Sequence, residues 1–508
     1  MYSLEAWISA AGIVFQWQNM AMIFGASVLG LIIGFVPGIG PLTALPLFLP
    51  ITYGMKPGPA LILLAILYMS TTYGGSLSAI LLNTPGTAAS AATCLDGYPM
   101  AKQGKGSVAI GISMMSSFIG GFIGLAGLIF LSPIIADFAL KFQPAEYFML
   151  AVLGLVLIAA SAKGSVLKGF IAGGFGFVVS SIGMDIMTGY SRFTFGRTYL
   201  KGGIPLVPMI IGLFAFSEVL SLIERGDRTI SEKGELSGKI IDGLKVPFKH
   251  MKTVLRSSFI GLGIGTIPGE GAAVANFTAY LAEARAAKHP EDFGTGIPEG
   301  VIAPEASNNA CVAGALIPTL TLGIPGGGVA AVFMGGIMIH GLNPGFELFT
   351  RHQDILTTLY FGLLVANLLL LICGSLLSQY AARVTVIPIN ILAPAIVALG
   401  VISTYIMRSQ ALDVVAAIAA GVVGYFMKKY GYSTISFLVA FILSPIAERS
   451  FYQAMLLADG SYWTFALRPI SGILLLLIIL VLFLPPILKK FRKPEPEHFP
   501  EESDAPAH

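Results

Sequence analysis

Residues 34–40 read Gly34-Phe35-Val36-Pro37-Gly38-Ile39-Gly40, inside an apolar run that covers residues 20–49. Proline removes a backbone donor and its ring clashes with the preceding helical turn, while glycine adds conformational freedom. A Pro-Gly pair in such a run therefore breaks a helix. The same word returns in the second half as Gly265-Thr266-Ile267-Pro268-Gly269-Glu270-Gly271. Each copy is followed by a second matched pair. Tyr73-Gly74-Gly75-Ser76 leads to Asn83-Thr84-Pro85-Gly86, and Ala313-Gly314-Ala315-Leu316 leads to Gly323-Ile324-Pro325-Gly326. A third echo joins Gly97-Tyr98-Pro99 to Gly341-Leu342-Asn343-Pro344. Gly34 and Gly265 are 231 residues apart, Asn83 and Gly323 240. With order kept and spacing nearly so, the chain reads as two repeats.

Unpaired backbone groups in hydrocarbon cost several kcal/mol each, so helix breaks persist only where they face protein, water or a ligand. One Pro-Gly pair can be a packing kink. Four motifs in two matched pairs point instead to the binding site of a secondary transporter. Half-helix N-termini suit a carboxylate, and freed carbonyls suit Na⁺.

The composition places these breaks in a membrane. Of 508 residues, 55% are hydrophobic and 11% charged, where soluble domains carry roughly 25% charged residues. Mean hydropathy is +0.82. Such a chain cannot cover itself with polar groups in water, which excludes a cytosolic enzyme, a secreted domain and a disordered protein. The net charge of +3 offers no basic face for nucleic acid. Unbroken apolar runs cover residues 108–131, 204–222, 355–377, 393–406, 414–426 and 470–488. Runs at 20–49, 60–82, 149–180, 261–281 and 310–339 are interrupted by Gly and Pro. At roughly 20 residues per crossing they predict an all-α polytopic membrane protein of about 11 to 13 helical passes, some broken or re-entrant. A β-barrel would show short alternating segments instead.

The first twenty residues hold one charged side chain, Glu5, and so lack the basic start of a signal peptide. Trp7 and Trp17 suit an interfacial helix. Residues 224–256 carry Arg225, Arg228, Lys233, Lys239, Lys245, Lys249, Lys252 and Arg256, and Lys489, Lys490, Arg492 and Lys493 follow the last apolar run. The positive-inside rule assigns both segments to the cytoplasm. The Pro- and Glu-rich residues beyond Lys493 read as disordered. The expected organisation is an interfacial segment (1–19), a first half (20–223), a basic cytoplasmic loop (224–257), a second half (258–488) and a cytoplasmic tail (489–508).

Polar groups at membrane depth are functional candidates. Asn308 and Asn309 have amides that donate to a carboxylate or accept from a cation. Asn83, Thr84 and Thr87 offer similar groups. Glu305 reads equally as a functional carboxylate or as a first-turn residue at a helix start. Glu270 reads as an ion carrier or a solvated loop carboxylate. Asp96 reads as a turn cap, and Lys102 and Lys105 as residues at a membrane face. Cys94, Cys311 and Cys373 are odd in number and lack C-x-x-C spacing, so they read as small buried side chains. No phosphate loop, H-E-x-x-H or G-x-S-x-G motif occurs. The chain is therefore read as a non-enzyme without cofactor. The alternatives are a passive carboxylate channel and, less favoured, a polytopic membrane enzyme.

These motifs resemble the large permease subunit of the bacterial tripartite tricarboxylate transporters. The resemblance rests on Tyr73 to Ser76, Asn83 to Thr87, Leu95 to Pro99, Gly183 with Asp185, Arg192 to Gly196, Lys288 to Pro290, Glu299 to Val301, Ala303 to Ala306, Asn308-Asn309, Leu322 to Gly326 and Ile339 to Gly341. It covers about residues 25–445. It implies inverted repeats, an elevator-type secondary transporter, and import of citrate or related carboxylates with Na⁺ or H⁺ as coupling ion. The implied partners are a small four-helix membrane subunit and a periplasmic solute-binding protein, in the bacterial inner membrane. On this expectation Asn83, Thr84, Pro85, Gly86 and Thr87 form one loop tip at the substrate, and Gly323, Pro325, Gly326 and Gly327 the opposed one. Asn308 and Asn309 bind substrate or ion. Pro37, Gly38, Pro268, Gly269, Glu270 and Glu305 serve the coupling ion or a hinge. Glu270 stands where many members have a small residue.

Overall fold

A computed structural model describes residues 3–36, 38–162, 165–185, 187–225, 238–269, 271–384 and 389–491. Pro37, Glu270, residues 226–237 of the basic segment and residues 492–508 of the tail lie outside the described residues. In chain order the helices are α1 (Leu4–Val14), α2 (Trp17–Phe35), α3 (Pro41–Thr52), α4 (Pro57–Leu82), α5 (Cys94–Met100), α6 (Gly106–Ala139), α7 (Pro144–Ala160) and α8 (Val166–Ser180). A two-stranded antiparallel hairpin, β1 (Gly183–Met184) and β2 (Ser191–Arg192), comes next. It is followed by α9 (Thr198–Lys201), α10 (Leu206–Ile210), α11 (Ser217–Arg225), α12 (Ile240–Lys249), α13 (Met251–Gly265), α14 (Gly271–Ala286), α15 (Pro298–Leu322) and α16 (Gly328–Ile339). The chain closes with α17 (Phe346–Arg351), α18 (Gln353–Val384), α19 (Ile389–Arg408), α20 (Ala411–Lys429), α21 (Thr434–Leu457), α22 (Thr464–Leu467) and α23 (Pro469–Phe491).

Among the described residues eight helices are long and apolar enough to cross a membrane, and six shorter apolar helices of 10–17 residues accompany them. The protein is an all-α multi-pass membrane protein. Its outer helices expose apolar side chains, such as Leu167 and Phe175 on α8, Val415 and Ile418 on α20, and Leu476 and Phe483 on α23. A helix that is apolar all round belongs at the centre of a bundle, and α4 is buried along nearly its whole length.

Two differences from the sequence reading have clear causes. The run at 60–82 forms one unbroken helix despite Gly74 and Gly75, because both glycines are contact points: a Cβ on Gly74 would lie 2.6 Å from the Leu31 carbonyl oxygen of α2. Helix α21 was not anticipated, because Ser, Glu and Arg residues dilute its hydropathy; it is nonetheless two-thirds buried, packed on α7 and α8.

Helix directions follow from pairs of contacting residues. Helices α4 and α18 run parallel, with Gly58 beside Thr358 and Gly374 beside Tyr73. Helices α18 and α6 run antiparallel: Asn367 donates to the Phe118 carbonyl at 3.0 Å, while the later Gly374 lies beside the earlier Met114. Helices α6 and α15 run parallel, since Gly120 meets Ala306 and Gly124 meets Ala310. It follows that α4 and α15 point in opposite directions. Their glycine-rich companions travel with them. Gly30 and Gly34 of α2 lie on Ser70 and Thr71 of α4, and Gly261 and Gly265 of α13 lie on Ser307 and Cys311 of α15. Small residues permit this close backbone approach in membrane bundles.

Candidate functional site

Helix α4 ends where Asn83 takes a left-handed conformation, φ 52°. Thr84 Oγ1 donates to the Leu82 carbonyl at 3.1 Å. The chain then doubles back, and Gly86 N–H donates to the Gly75 carbonyl at 3.2 Å. Since Gly75 precedes Leu82 by seven residues, the loop returns roughly 10 Å along α4. Only glycine fits at position 86, because a Cβ would lie 2.1 Å from the Gly34 carbonyl oxygen. Thr87 then caps the 3₁₀ turn Ala88–Ser90 through a reciprocal contact with Ser90.

Helix α15 ends in the same way. Gly323 is left-handed, φ 68°. Gly326 returns to Ala315, again seven residues before the helix end, and a Cβ there would lie 2.7 Å from both the Ala315 Cα and the Gly265 oxygen. Gly326 N–H approaches Thr319 Oγ1 at 3.4 Å, and the Gly326 carbonyl accepts from Gly269 N–H at 3.2 Å. Gly86 against Gly75 and Gly34 thus has its counterpart in Gly326 against Ala315 and Gly265.

The two loops meet across the halves. At the start of α3, a Cβ on Gly40 would lie 3.5 Å from Thr87, while Gly328, which opens α16, lies against Leu42. At the start of α14, Gly271 lies beside Gly327, and Asn276 donates its amide to the Ala89 carbonyl. Gly271 and Asn276 are five residues apart, so about 8 Å of helix separates the two loops on this side. The N-terminal ends of α3, α14, α16 and the 3₁₀ turn therefore converge between the loops. The first-turn N–H groups of these helices and their positive partial charge collect there. Thr87, Gly86, Gly326, Gly327 and Gly269 all lie at this convergence. Asn83, Thr84 and Gly323 lie at the far turns of the loops, and Pro85 and Pro325 on the returning limbs. Gly38 (φ 88°) precedes α3. Asn83 and Thr84 are exposed, whereas Gly323 to Gly327 are buried.

Helix α15 lines the gap. Thr93, after the first loop, reaches α15 at Glu305, and the second loop reaches it at Ala315. Asn308 and Asn309 stand between these levels, fully buried, and neither amide has a hydrogen-bond partner. Buried polar groups are nearly always paired, and these four amide atoms are left without a partner.

Glu305 is not a first-turn residue. It is the eighth residue of α15, fully buried, and it accepts from Thr93 at 2.5 Å, Ser113 at 2.9 Å and Ser117 at 2.8 Å. Ser113 and Ser117 share one face of α6, a four-residue spacing the sequence displays without naming its partner. Asp96 is not a local turn cap either. Its buried carboxylate accepts from the backbone N–H groups of Gly294, Gly296 and Ile297 at 2.8–3.0 Å and from the Tyr280 hydroxyl at 2.8 Å. It thereby caps α15 from the other half of the chain, and a Cβ on Gly300 would collide with it.

An all-α bundle whose two central helices run oppositely, each ending in a glycine-packed return loop, defines a membrane protein with a central polar site. The sequence profile of the tripartite tricarboxylate transporter TctA family matches residues 20–439. The chain belongs to this family. It is therefore a subunit of a tricarboxylate transporter, in a system that has partner subunits. A relative described as "Uncharacterized 52.8 kDa protein in TAR-I ttuC' 3'region" of Agrobacterium vitis is 36% identical over 477 residues, 93% of this chain and 94% of the relative. A second, "Uncharacterized protein in TAR-II ttuC' 3'region" of the same organism, is 34% identical over 230 residues, 45% of this chain and 95% of the relative. No solved structure matches the chain.

Proposed function

We propose that the chain is the translocating subunit of an ion-coupled importer of tricarboxylates or related small organic carboxylates. The observation that carries this is the convergence of four helical N-termini on two return loops, next to the orphan amides of Asn308 and Asn309. A multiply charged anion would receive N–H donors and positive helix ends there. Glycine-packed loops let backbone, rather than long side chains, reach the solute.

The opposite directions of α4 and α15, with matched loop contacts, support an inverted repeat. The first loop is open, and it lies at the end where His250 meets Glu299 at 2.9 Å beside the basic segment. By the positive-inside rule this is the cytoplasmic end, and the C-terminus shares it. The conformation is then open to the cytoplasm, with the second loop closed, as in one state of an elevator-type cycle. The membrane is the bacterial inner membrane. The partners are a small four-helix membrane subunit and a periplasmic solute-binding protein that delivers the solute to the opposite face.

The test is uptake of labelled di- and tricarboxylates in cells making this chain with its two partner subunits, with Na⁺ and the proton gradient varied separately. Accumulation above the external concentration, lost on collapse of the driving gradient, is the expected result. Uptake that only equilibrates would establish a passive channel instead.

A further inference from the structure

We propose that the coupling ion is a proton and that Glu305 carries it. This rests on the transport reading above. Glu305 sits at membrane depth where α4, α6 and α15 meet, and no cationic side chain among the described residues pairs with it. An unpaired charge in such a place is strongly disfavoured, and a bound proton removes it. The titratable groups that face it are Tyr73 of α4 and Cys94 at the start of α5. Helices α6 and α18 present Ser113, Ser117 and Asn367, which do not titrate. Asp96, one turn beyond, is committed to the cap of α15.

The geometry is that of a proton site. The three hydroxyl oxygens stand 2.5–2.9 Å from the carboxylate oxygens, which leaves space for hydrogens and none for an ion between them. Each hydroxyl can donate to the ionised carboxylate, and each can turn to accept from the protonated one.

A second observation marks the proton's route. Tyr73, Ser117 and Asn367 form the polar side of a cavity of about 10 Å³, room for one water molecule. The Asn367 Oδ1 has no partner, and the Tyr73 hydroxyl faces Ser113 and Glu305 without meeting hydrogen-bond geometry with either. A water in this cavity would satisfy both and stand one hydroxyl away from Glu305. In the transfer, an O–H bond of a hydronium ion in this cavity breaks, leaving water, and, through the intervening hydroxyl, an O–H bond forms on the Glu305 carboxylate; no electrons are exchanged.

The experiment uses the full chain with both partner subunits in proteoliposomes, labelled citrate as probe, and an internal pH dye. Wild type is expected to accumulate citrate when the inside is alkaline and to acidify the interior as it does so. Glu305→Gln mimics the protonated acid. It is expected to keep citrate-for-citrate exchange, to lose accumulation driven by the pH gradient, and to lose the acidification. Glu305→Gln that still accumulates citrate on a pH gradient overturns the proposal, as does wild-type accumulation that follows Na⁺ without proton movement. Should Glu305→Gln fail to fold, Ser117→Ala decides: removing one donor to the ionised carboxylate shifts the pH of half-maximal uptake upward, and an unmoved pH profile is the contrary result. Wild type that neither exchanges nor accumulates citrate or any other labelled di- or tricarboxylate would instead overturn the transport reading itself.

Discussion

Gly86→Ala tests whether the return loops are held by backbone contact. The added Cβ would stand 2.1 Å from the Gly34 oxygen, 2.7 Å from the Gly75 Cα and 2.8 Å from Ser78 Oγ. Real Cβ atoms essentially never approach closer than 3.0 Å, so the loop must retreat by about 1 Å from two backbones that α2 and α4 hold fixed. Overpacking of this kind costs about 1–3 kcal/mol. The retreat also breaks the 3.2 Å bond from Gly86 to Gly75, for about 1 kcal/mol more. If the cost falls on the binding-competent loop, a total of about 2–4 kcal/mol lowers apparent affinity by roughly 30-fold to several hundredfold. The assay is the concentration dependence of carboxylate uptake in proteoliposomes, with thermal unfolding measured alongside. A higher KM with reduced thermal stability is expected. A variant with unchanged KM and unchanged unfolding would refute the close-packed loop as the source of binding geometry.

Gly327→Ala makes the complementary case: its φ is 179° and the nearest atom to an added Cβ is 3.8 Å away, so thermal stability should hold while the methyl group, standing between the loops, raises KM. Asn308→Ala and Asn309→Ala remove amides that have no partner, so thermal unfolding should change little while apparent affinity falls about tenfold, one charge-assisted bond or so each; a large stability loss with unchanged KM would make them structural. Asp96→Asn weakens the acceptor of four backbone and hydroxyl donors and should expose residues 287–297 to protease, with the intact loop as the contrary result. Asp185 is held below the usual carboxylate range by backbone N–H groups of Thr188 and Met187. Because its folded value is depressed, the stabilisation is present above the unfolded carboxylate range and is lost as pH falls through the folded value. Hydrogen exchange in residues 183–192 should therefore speed up, relative to neighbouring loops, only in acid, and Asp185→Asn should abolish that dependence.

Much of this was legible in the chain because Pro-Gly pairs act locally. The Pro85-Gly86 and Pro325-Gly326 pairs fall just past Leu82 and Leu322, where α4 and α15 end, so these returns could be placed from spacing, although lone prolines such as Pro133, Pro304 and Pro318 are carried inside helices. What the sequence hid were contacts whose partners lie in the other half. Asp96 looked like a local cap because its acceptor atoms show no destination; they cap α15, some two hundred residues on. Gly74 and Gly75 looked like breaks because a glycine needed for close approach reads the same as one needed for a bend. Thr93, Ser113 and Ser117 gave no sign of a shared carboxylate until three elements were brought together. Helix α21 escaped because its burial by protein, rather than lipid, tolerates the polar residues that mask it.

The crossed packing of the return loops also sets an order of assembly. The first half brings its loop and α3 into the membrane with no α14 or α16 to meet them. Until synthesis has passed Ala286, Ala89 lacks the amide of Asn276, and until it has passed Ile339, Leu42 lacks Gly328. A half-made chain therefore holds an unfinished polar surface at membrane depth. Nascent first halves should depend on insertion machinery for shelter, and a break between the halves should leave two pieces that become stable only when made together.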